Sequence, residues 1–210
     1  MKTLIINSHP DYQNKKHYSY EFQEHFLTLF KQKCPSSPVE ILNLYENDIP
    51  RIENGQLLSI WNKKQQDLTP EEQQIAKTSQ ALLTQFKAYK RIVLIMPLHN
   101  FNVESRMKDY IDNILIARET FKYTENGSEG LMTDDYKLLV IQSSGSIYTN
   151  EDRYQKLDIS HLYLEGIFKE IMGFSAVDMV RVEGTAILPK KEIITKGLLD
   201  LNQAFDNFYA

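Results

Sequence analysis

Three features of the 210-residue sequence predict an α/β fold, a doubly wound parallel sheet with helices on both faces. Short apolar runs of strand length alternate with longer segments of helical period from one end of the chain to the other. The run Ile92-Val93-Leu94-Ile95-Met96 carries no polar residue on either face, as a strand covered by helices on both sides requires. Pro97 closes that run, because proline cannot donate to a sheet ladder, and so places Leu98 to Asn102 at a carboxyl strand edge.

Taken in order, Thr3 to Asn7 reads as a buried strand that Ser8, His9 and Pro10 break into a loop reaching about Lys16. A helix follows, with Phe22, Phe26 and Phe30 on one stripe, ending before Pro35. Val39 to Leu44 is the second strand. From Tyr45 to Asp67 the pattern is irregular, and the cluster Leu57, Leu58, Ile60 and Trp61 suggests a short helix. Thr69-Pro70-Glu71-Glu72 opens the next helix with a capping side chain, an early proline and early acids, and Ile75, Leu82, Leu83 and Phe86 carry it to Ala88.

After the Ile92–Met96 strand, Met107, Tyr110, Ile111 and Ile114 predict a helix over 103–117 with Asn102 as its cap. The segment around Asn126-Gly127 fits either a hairpin or an irregular excursion. Lys137 to Gln142 is a further apolar strand ending in Ser143-Ser144-Gly145-Ser146, small residues that let backbone N–H groups approach a ligand. A helix over 157–172, a strand over 176–182 and a closing helix over 190–209 complete the chain. About five strands result, and the expectation is one domain over 1–210 with a five-stranded parallel sheet of flavodoxin-like type.

Composition narrows the function. Twenty-four Lys and Arg against 28 Asp and Glu give a net charge of −4, and the basic residues are dispersed, so no nucleic-acid partner is expected. Cys34 is the single cysteine, which rules out an internal disulfide and fits a cytoplasmic setting. No apolar run approaches the roughly 18 residues of a membrane span, and no membrane partner is expected. Neither G-x-G-x-x-G after the first strand nor G-x-x-x-x-G-K-[ST] or G-x-S-x-G anywhere is present, which argues against a dinucleotide fold, a P-loop and a hydrolase elbow.

In a doubly wound sheet the loops after the first, third and fourth strands meet at the switch point. Here they are 9–19, 97–102 and 143–146. The first leads into a helix N-terminus, where unpaired N–H groups favour phosphate, and carries Lys15, Lys16 and His17. A flavin mononucleotide, with one phosphate at that loop and its ring between the other two, satisfies the layout.

At this level of detail the sequence resembles a known family. The runs Met96-Pro97-Leu98-His99-Asn100-Phe101-Asn102, Thr120-Phe121-Lys122-Tyr123-Thr124-Glu125-Asn126-Gly127-Ser128-Glu129-Gly130-Leu131 and Ser143-Ser144-Gly145-Ser146 are similar to those of the FMN-dependent NADH-azoreductases, also called FMN-dependent NADH:quinone oxidoreductases. The resemblance implies a homodimer with one FMN per subunit and NADH as electron donor, reducing quinones or azo compounds by two electrons. It further implies FMN contacts from His9, from Lys16, His17 and Tyr18 in the phosphate loop, from Pro97, Leu98, His99, Asn100 and Phe101, and from Ser143, Ser144, Gly145 and Ser146. Phe121 and Tyr123 become candidate walls of the substrate pocket.

Two stretches depart from the family pattern. Where the family has Ser-x-Ser in the phosphate loop, the gapless match falls on Lys16-His17-Tyr18, and a shift of one residue brings Ser19 into play. In the fourth-strand loop Ser144 and Ser146 stand where a long side chain and a glycine are usual. With the flavin carrying the chemistry, the protein has to position it and supply hydrogen bonds, so no catalytic side chain and no metal is expected. The rival reading is a flavodoxin-like electron carrier without its own substrate turnover.

Overall fold

The structure is a computed structural model that describes residues 1–210. Its strands are β1 (Thr3–Asn7), β2 (Val39–Asn43), β3 (Arg91–Pro97), β4 (Phe121–Thr124), β5 (Gly127–Gly130), β6 (Lys137–Ser143) and β7 (Ala176–Val182). The helices are α1 (Tyr18–Lys33), α2 (Leu57–Asn62), α3 (Pro70–Lys87), α4 (Ser105–Ile114), α5 (Ile159–Glu165) and α6 (Lys190–Tyr209). Five parallel strands run in the order β2-β1-β3-β6-β7, with β3 central, and β4 and β5 form a separate antiparallel pair. This is the flavodoxin-like order, in which the chain reverses its direction of winding at β1 and β3.

Alternation along β3 explains the two layers. Ile92, Leu94 and Met96 point into one core with Phe86 of α3, Tyr110 and Ile111 of α4 and Phe168, while Val93 and Ile95 point into the other with Phe22, Phe26 and Phe30 of α1 and Phe205 of α6. Each phenylalanine of the α1 stripe is buried, a contribution of roughly 1.5–3 kcal/mol apiece. Helix α3 begins as its sequence predicts. Thr69 accepts from the Glu72 N–H at 3.2 Å, and the Glu72 carboxylate accepts from the Thr69 N–H at 3.0 Å.

Several expectations change. Helix α4 starts at Ser105, not at Val103, and its cap position is Glu104; the Asn102 side chain instead accepts from the adjacent Val103 N–H at 2.8 Å. The expected helix over 157–172 is a short α-helix continuing as a π-helix through Gly166–Ile171. Around Asn126-Gly127 the chain forms the hairpin β4–β5, in which Gly127 alone takes a positive φ, 113°. No helix is long and apolar enough to cross a membrane.

Candidate functional site

The carboxyl ends of β1, β3 and β6 lie side by side, and the backbone ties the loops that leave them. Ser8 N–H donates to the Ile95 carbonyl at 2.9 Å, Leu98 N–H to Ser143 at 2.8 Å, and Ser144 N–H to Val182 at 3.1 Å. Asn7 organises the exit of β1 in both directions. Its amide donates to Gln23 of α1 at 2.8 Å, and its side-chain oxygen accepts the His9 N–H at 2.9 Å.

Helix α1 presents an open N-terminus at this edge. Its cap residue His17 makes no side-chain capping bond, and the first N–H of the helical ladder to find an acceptor is that of Glu21, on the His17 carbonyl at 3.1 Å. The N–H groups of Tyr18, Ser19 and Tyr20 are therefore left aimed out of the helix end, where the dipole favours negative charge. Ser19 is buried, and its hydroxyl lies 3.0 Å from that of Ser143. Lys16 is exposed in the preceding turn.

Beside the helix end stand two histidines with ring centroids 4.3 Å apart, His9 and His17. Asp11 pairs with Nε2 of His17 at 2.9 Å, and the Asp11 N–H donates to Nδ1 of His9 at 3.1 Å. Partial burial, then the neighbouring His17, push His9 down to about 4, so its ring is neutral at pH 7. With Nδ1 accepting, that neutral ring carries its proton on Nε2 and can donate it.

The loop after β3 is a tight turn. Asn102 N–H donates to the His99 carbonyl at 3.0 Å, and the two residues between them, Asn100 and Phe101, sit at φ 48° and 67°. Positive φ at both central positions is the mark of a type I′ turn, unusual for a phenylalanine and costing of order 1–3 kcal/mol. Pro97 ends β3 as expected, and Leu98 is half-buried while His99 and Asn100 are exposed. The Phe101 ring meets Tyr148 edge-on at 6.4 Å.

The loop after β6 is held by its carbonyls. Thr185 N–H donates to Ser144 at 3.0 Å, Ala186 to Gly145 at 3.2 Å and Gly184 to Ser146 at 3.1 Å, and the Ser144 hydroxyl also donates to the Ser146 carbonyl at 2.9 Å. The N–H groups of Gly145 and Ser146 remain free to meet a ligand. Orphan donors at the helix end, on a strained turn and on a pinned loop fit a ligand with one phosphate, a polyhydroxyl chain and a planar ring of acceptors.

The structure thus gathers His9, Lys16, His17, Tyr18, Pro97 to Phe101 and Ser143 to Ser146 at one sheet edge. It does not bring Phe121 and Tyr123 there. Both lie on β4, which follows the C-terminal end of α4 and whose neighbouring segment is fastened by Met132 N–H to Met172, just before β7 begins, at 2.9 Å. That is the amino edge of the sheet, because α4 runs antiparallel to the strands it connects. Phe121 is buried at the base of the hairpin and Tyr123 is 75% exposed, their rings edge-to-face at 5.2 Å.

Glu104 is the residue of this edge that sequence reasoning passes over. It is buried, its Oε1 lies 3.1 Å from the Ser8 hydroxyl, and its Oε2 has no hydrogen-bond partner. Burial pushes its carboxyl up to about 8, against smaller opposing effects of the Ser8 hydroxyl and its own N–H. An acid just before a helix is a common surface pattern, and only the fold reveals that this one is inside.

Comparison with known proteins agrees with this geometry. Residues 1–204 match the family described as "Flavodoxin-like fold". The chain is 51% identical over 212 residues to FMN-dependent NADH:quinone oxidoreductase 1 of Lactiplantibacillus plantarum, covering 99% of each chain. It is 48% identical to the FMN-dependent NADH:quinone oxidoreductase of Streptococcus agalactiae, covering 100% of this chain and 99% of the other. Among solved structures, an FMN-dependent NADH-azoreductase from Bacillus anthracis in complex with FMN superposes with a TM-score of 0.93 at 42% identity, over 98% of both chains.

Proposed function

Since this chain belongs to the flavodoxin-like family of FMN-dependent NADH:quinone oxidoreductases and NADH-azoreductases, we propose that the edge formed by β1, β3 and β6 is its FMN site and that the residues gathered there hold the cofactor. The enzyme uses NADH to reduce quinones or azo compounds. The observation that carries the site assignment is the open end of α1, whose orphan N–H groups stand beside the free N–H groups of the two other loops.

Bound FMN supplies the two-electron chemistry. The chain's own work is binding and orientation. The N–H groups of Tyr18, Ser19 and Tyr20, with the Ser19 hydroxyl and the Nε2 proton of His9, would hold the phosphate. This favours the register shifted by one, in which Ser19 and not Lys16 provides the short-range contact. Backbone N–H groups of Asn100, Phe101, Gly145 and Ser146 would face the ribityl chain and ring, donating to oxygens and nitrogens that gain negative charge on reduction. Phe101 and Tyr148 would form an aromatic wall against which a planar substrate lies.

A homodimer accommodates the displaced hairpin. Phe121 and Tyr123 cannot wall the pocket of their own chain from the amino edge, but a partner subunit's hairpin can reach across to it. Exposed Tyr123, Leu162 and Trp61 supply apolar surface for such an interface. The cytoplasm, where NADH is available and a lone Cys34 stays reduced, is the setting that this chemistry needs.

Heating the purified protein and chromatographing the released cofactor tests the binding assignment, with stoichiometric FMN expected. Initial rates against NADH at several quinone concentrations should give parallel lines, as alternation through one site requires. Recovery of FAD, or no flavin after reconstitution, would overturn the assignment, and intersecting lines would require separate sites. Sedimentation at micromolar concentration should give a species of twice the chain mass, and a monomer would remove the dimer reading.

A further inference from the structure

We propose that Glu104 is a positioning residue of the cofactor site that works as a neutral carboxylic acid, donating to Ser8 and so fixing the exit of β1 against the start of α4. The inference rests on the FMN reading and adds to it a residue that does not itself line the loops.

Hydrogen count carries the argument. The Ser8 hydroxyl lies within reach of two oxygens, Oε1 of Glu104 at 3.1 Å and the Ile95 carbonyl at 3.4 Å, yet it has a single proton. A carboxylate can only accept, so with Glu104 ionised the single hydroxyl proton is drawn to it and the Ile95 carbonyl keeps only the Ser8 N–H, at 2.9 Å. A protonated Glu104 donates from Oε1 to the Ser8 oxygen, and Ser8 then donates to Ile95. The relay Glu104, Ser8, Ile95 is complete only in the neutral state.

The surroundings favour the same state. Oε2 is buried without any donor, a penalty that is modest for a carbonyl-like oxygen and severe for half of a carboxylate. From β1 the only polar side chain on the carboxyl is Ser8, whose hydroxyl also reaches the Ile95 carbonyl of β3, and the segment after β2 brings the phenol of Tyr45. Tyr45 in turn faces Ser105, Arg106 and Asp109 of α4. None of these places a cation on Glu104, and burial accordingly keeps it protonated at neutral pH.

Ser8 immediately precedes His9 and the loop leading to the orphan N–H groups of α1, while Glu104 closes the loop that carries Asn100 and Phe101. Ionising Glu104 reverses its bond with Ser8, takes the Ser8 hydroxyl from the Ile95 carbonyl and puts a negative charge with one unpartnered oxygen behind a site that must accept a phosphate dianion. Reciprocity then demands that FMN bind the protonated protein more tightly and that binding at alkaline pH take up a proton.

Titrating FMN into the full-length apoprotein, read by quenching of flavin fluorescence between pH 6.5 and 9.5, tests this directly. For the wild type the dissociation constant should rise about tenfold between pH 7.5 and 9.5. Glu104→Gln, whose amide donates at every pH, should stay within about threefold over the same range, and Glu104→Ala should bind weakly throughout. Should the variants fail to fold, wild-type binding enthalpies at pH 8.5 in buffers of different ionisation enthalpy provide the readout, with uptake of a substantial fraction of one proton expected. Matching curves for wild type and Glu104→Gln, or no proton uptake, would overturn the role of Glu104 alone. No FMN binding at any pH would overturn the cofactor assignment with it.

Discussion

The Ser19 hydroxyl lies 3.0 Å from the Ser143 hydroxyl, so the first turn of α1 and the last residue of β6 touch across 124 positions of sequence. This contact ties the N-terminal end of α1, the proposed phosphate end, to the loop 143–146. Ser19→Ala should weaken FMN binding by about 1–2 kcal/mol, the worth of a hydrogen bond to a charged group plus a lost link. Exposed Lys16 should matter less. Lys16→Ala should lose under about 1 kcal/mol, and that loss should vanish at high salt, because solvent screens an exposed charge. Apoprotein titrations at low and high salt separate the two, and a larger effect from Lys16 would restore the unshifted register.

Global stability should carry the signature of Glu104. Its carboxyl is raised from the ordinary 4.5 to about 8 in the folded protein, so the folded state holds a proton there that the unfolded state releases between those values. The stabilisation attached to that proton is fully present below pH 4.5 and lost progressively as pH rises through about 8. The loss over that window should be on the order of 2–5 kcal/mol. Urea denaturation of wild type and Glu104→Gln from pH 4.5 to 9 should show the wild type falling behind the variant as pH rises. Parallel stability curves would mean that the carboxyl is hydrated in solution.

The base of the hairpin offers a third test. A Cβ on Gly130 would stand 2.5 Å from the Gly173 nitrogen and from the Met172 carbonyl, both backbone atoms that have little room to yield. Gly130→Ala should destabilise the fold by about 1–3 kcal/mol through overpacking. Gly127→Ala meets no neighbour within 4 Å but inherits a φ of 113°, so it should perturb the turn locally and leave the base in place. Amide exchange distinguishes them, with faster exchange at Met132 expected for Gly130→Ala only.

The sheet is legible in the sequence because its signal is local. Five apolar residues from Ile92 to Met96 leave no polar face, and Pro97 marks their end, so both the central strand and the loop at its carboxyl edge follow from neighbouring residues. The phosphate end is half legible. The helix start is visible, but that its first residue is Tyr18, which puts Ser19 and not Lys16 in the first turn, is a matter of one residue of register that local sequence does not fix. Glu104 is illegible because its burial depends on Ser8 and Tyr45, distant in sequence. Likewise no pattern within 120–131 tells which edge of the sheet the hairpin occupies, since that is set by the length of α4 and by Met172.

The type I′ turn at Asn100 and Phe101 also shapes how this enzyme can diverge. Left-handed backbone tolerates Gly, Asn and Asp and penalises β-branched side chains, so drift at these two positions is channelled by the chain's own conformation, whatever substrate is being selected. His99 lies just outside the positive-φ pair, exposed and without that constraint. With the acceptor lying against this turn, as proposed, a lineage or a mutant library adapting to a new one has its freedom concentrated at position 99 and on the facing Tyr148 loop, while the turn itself stays conformationally frozen.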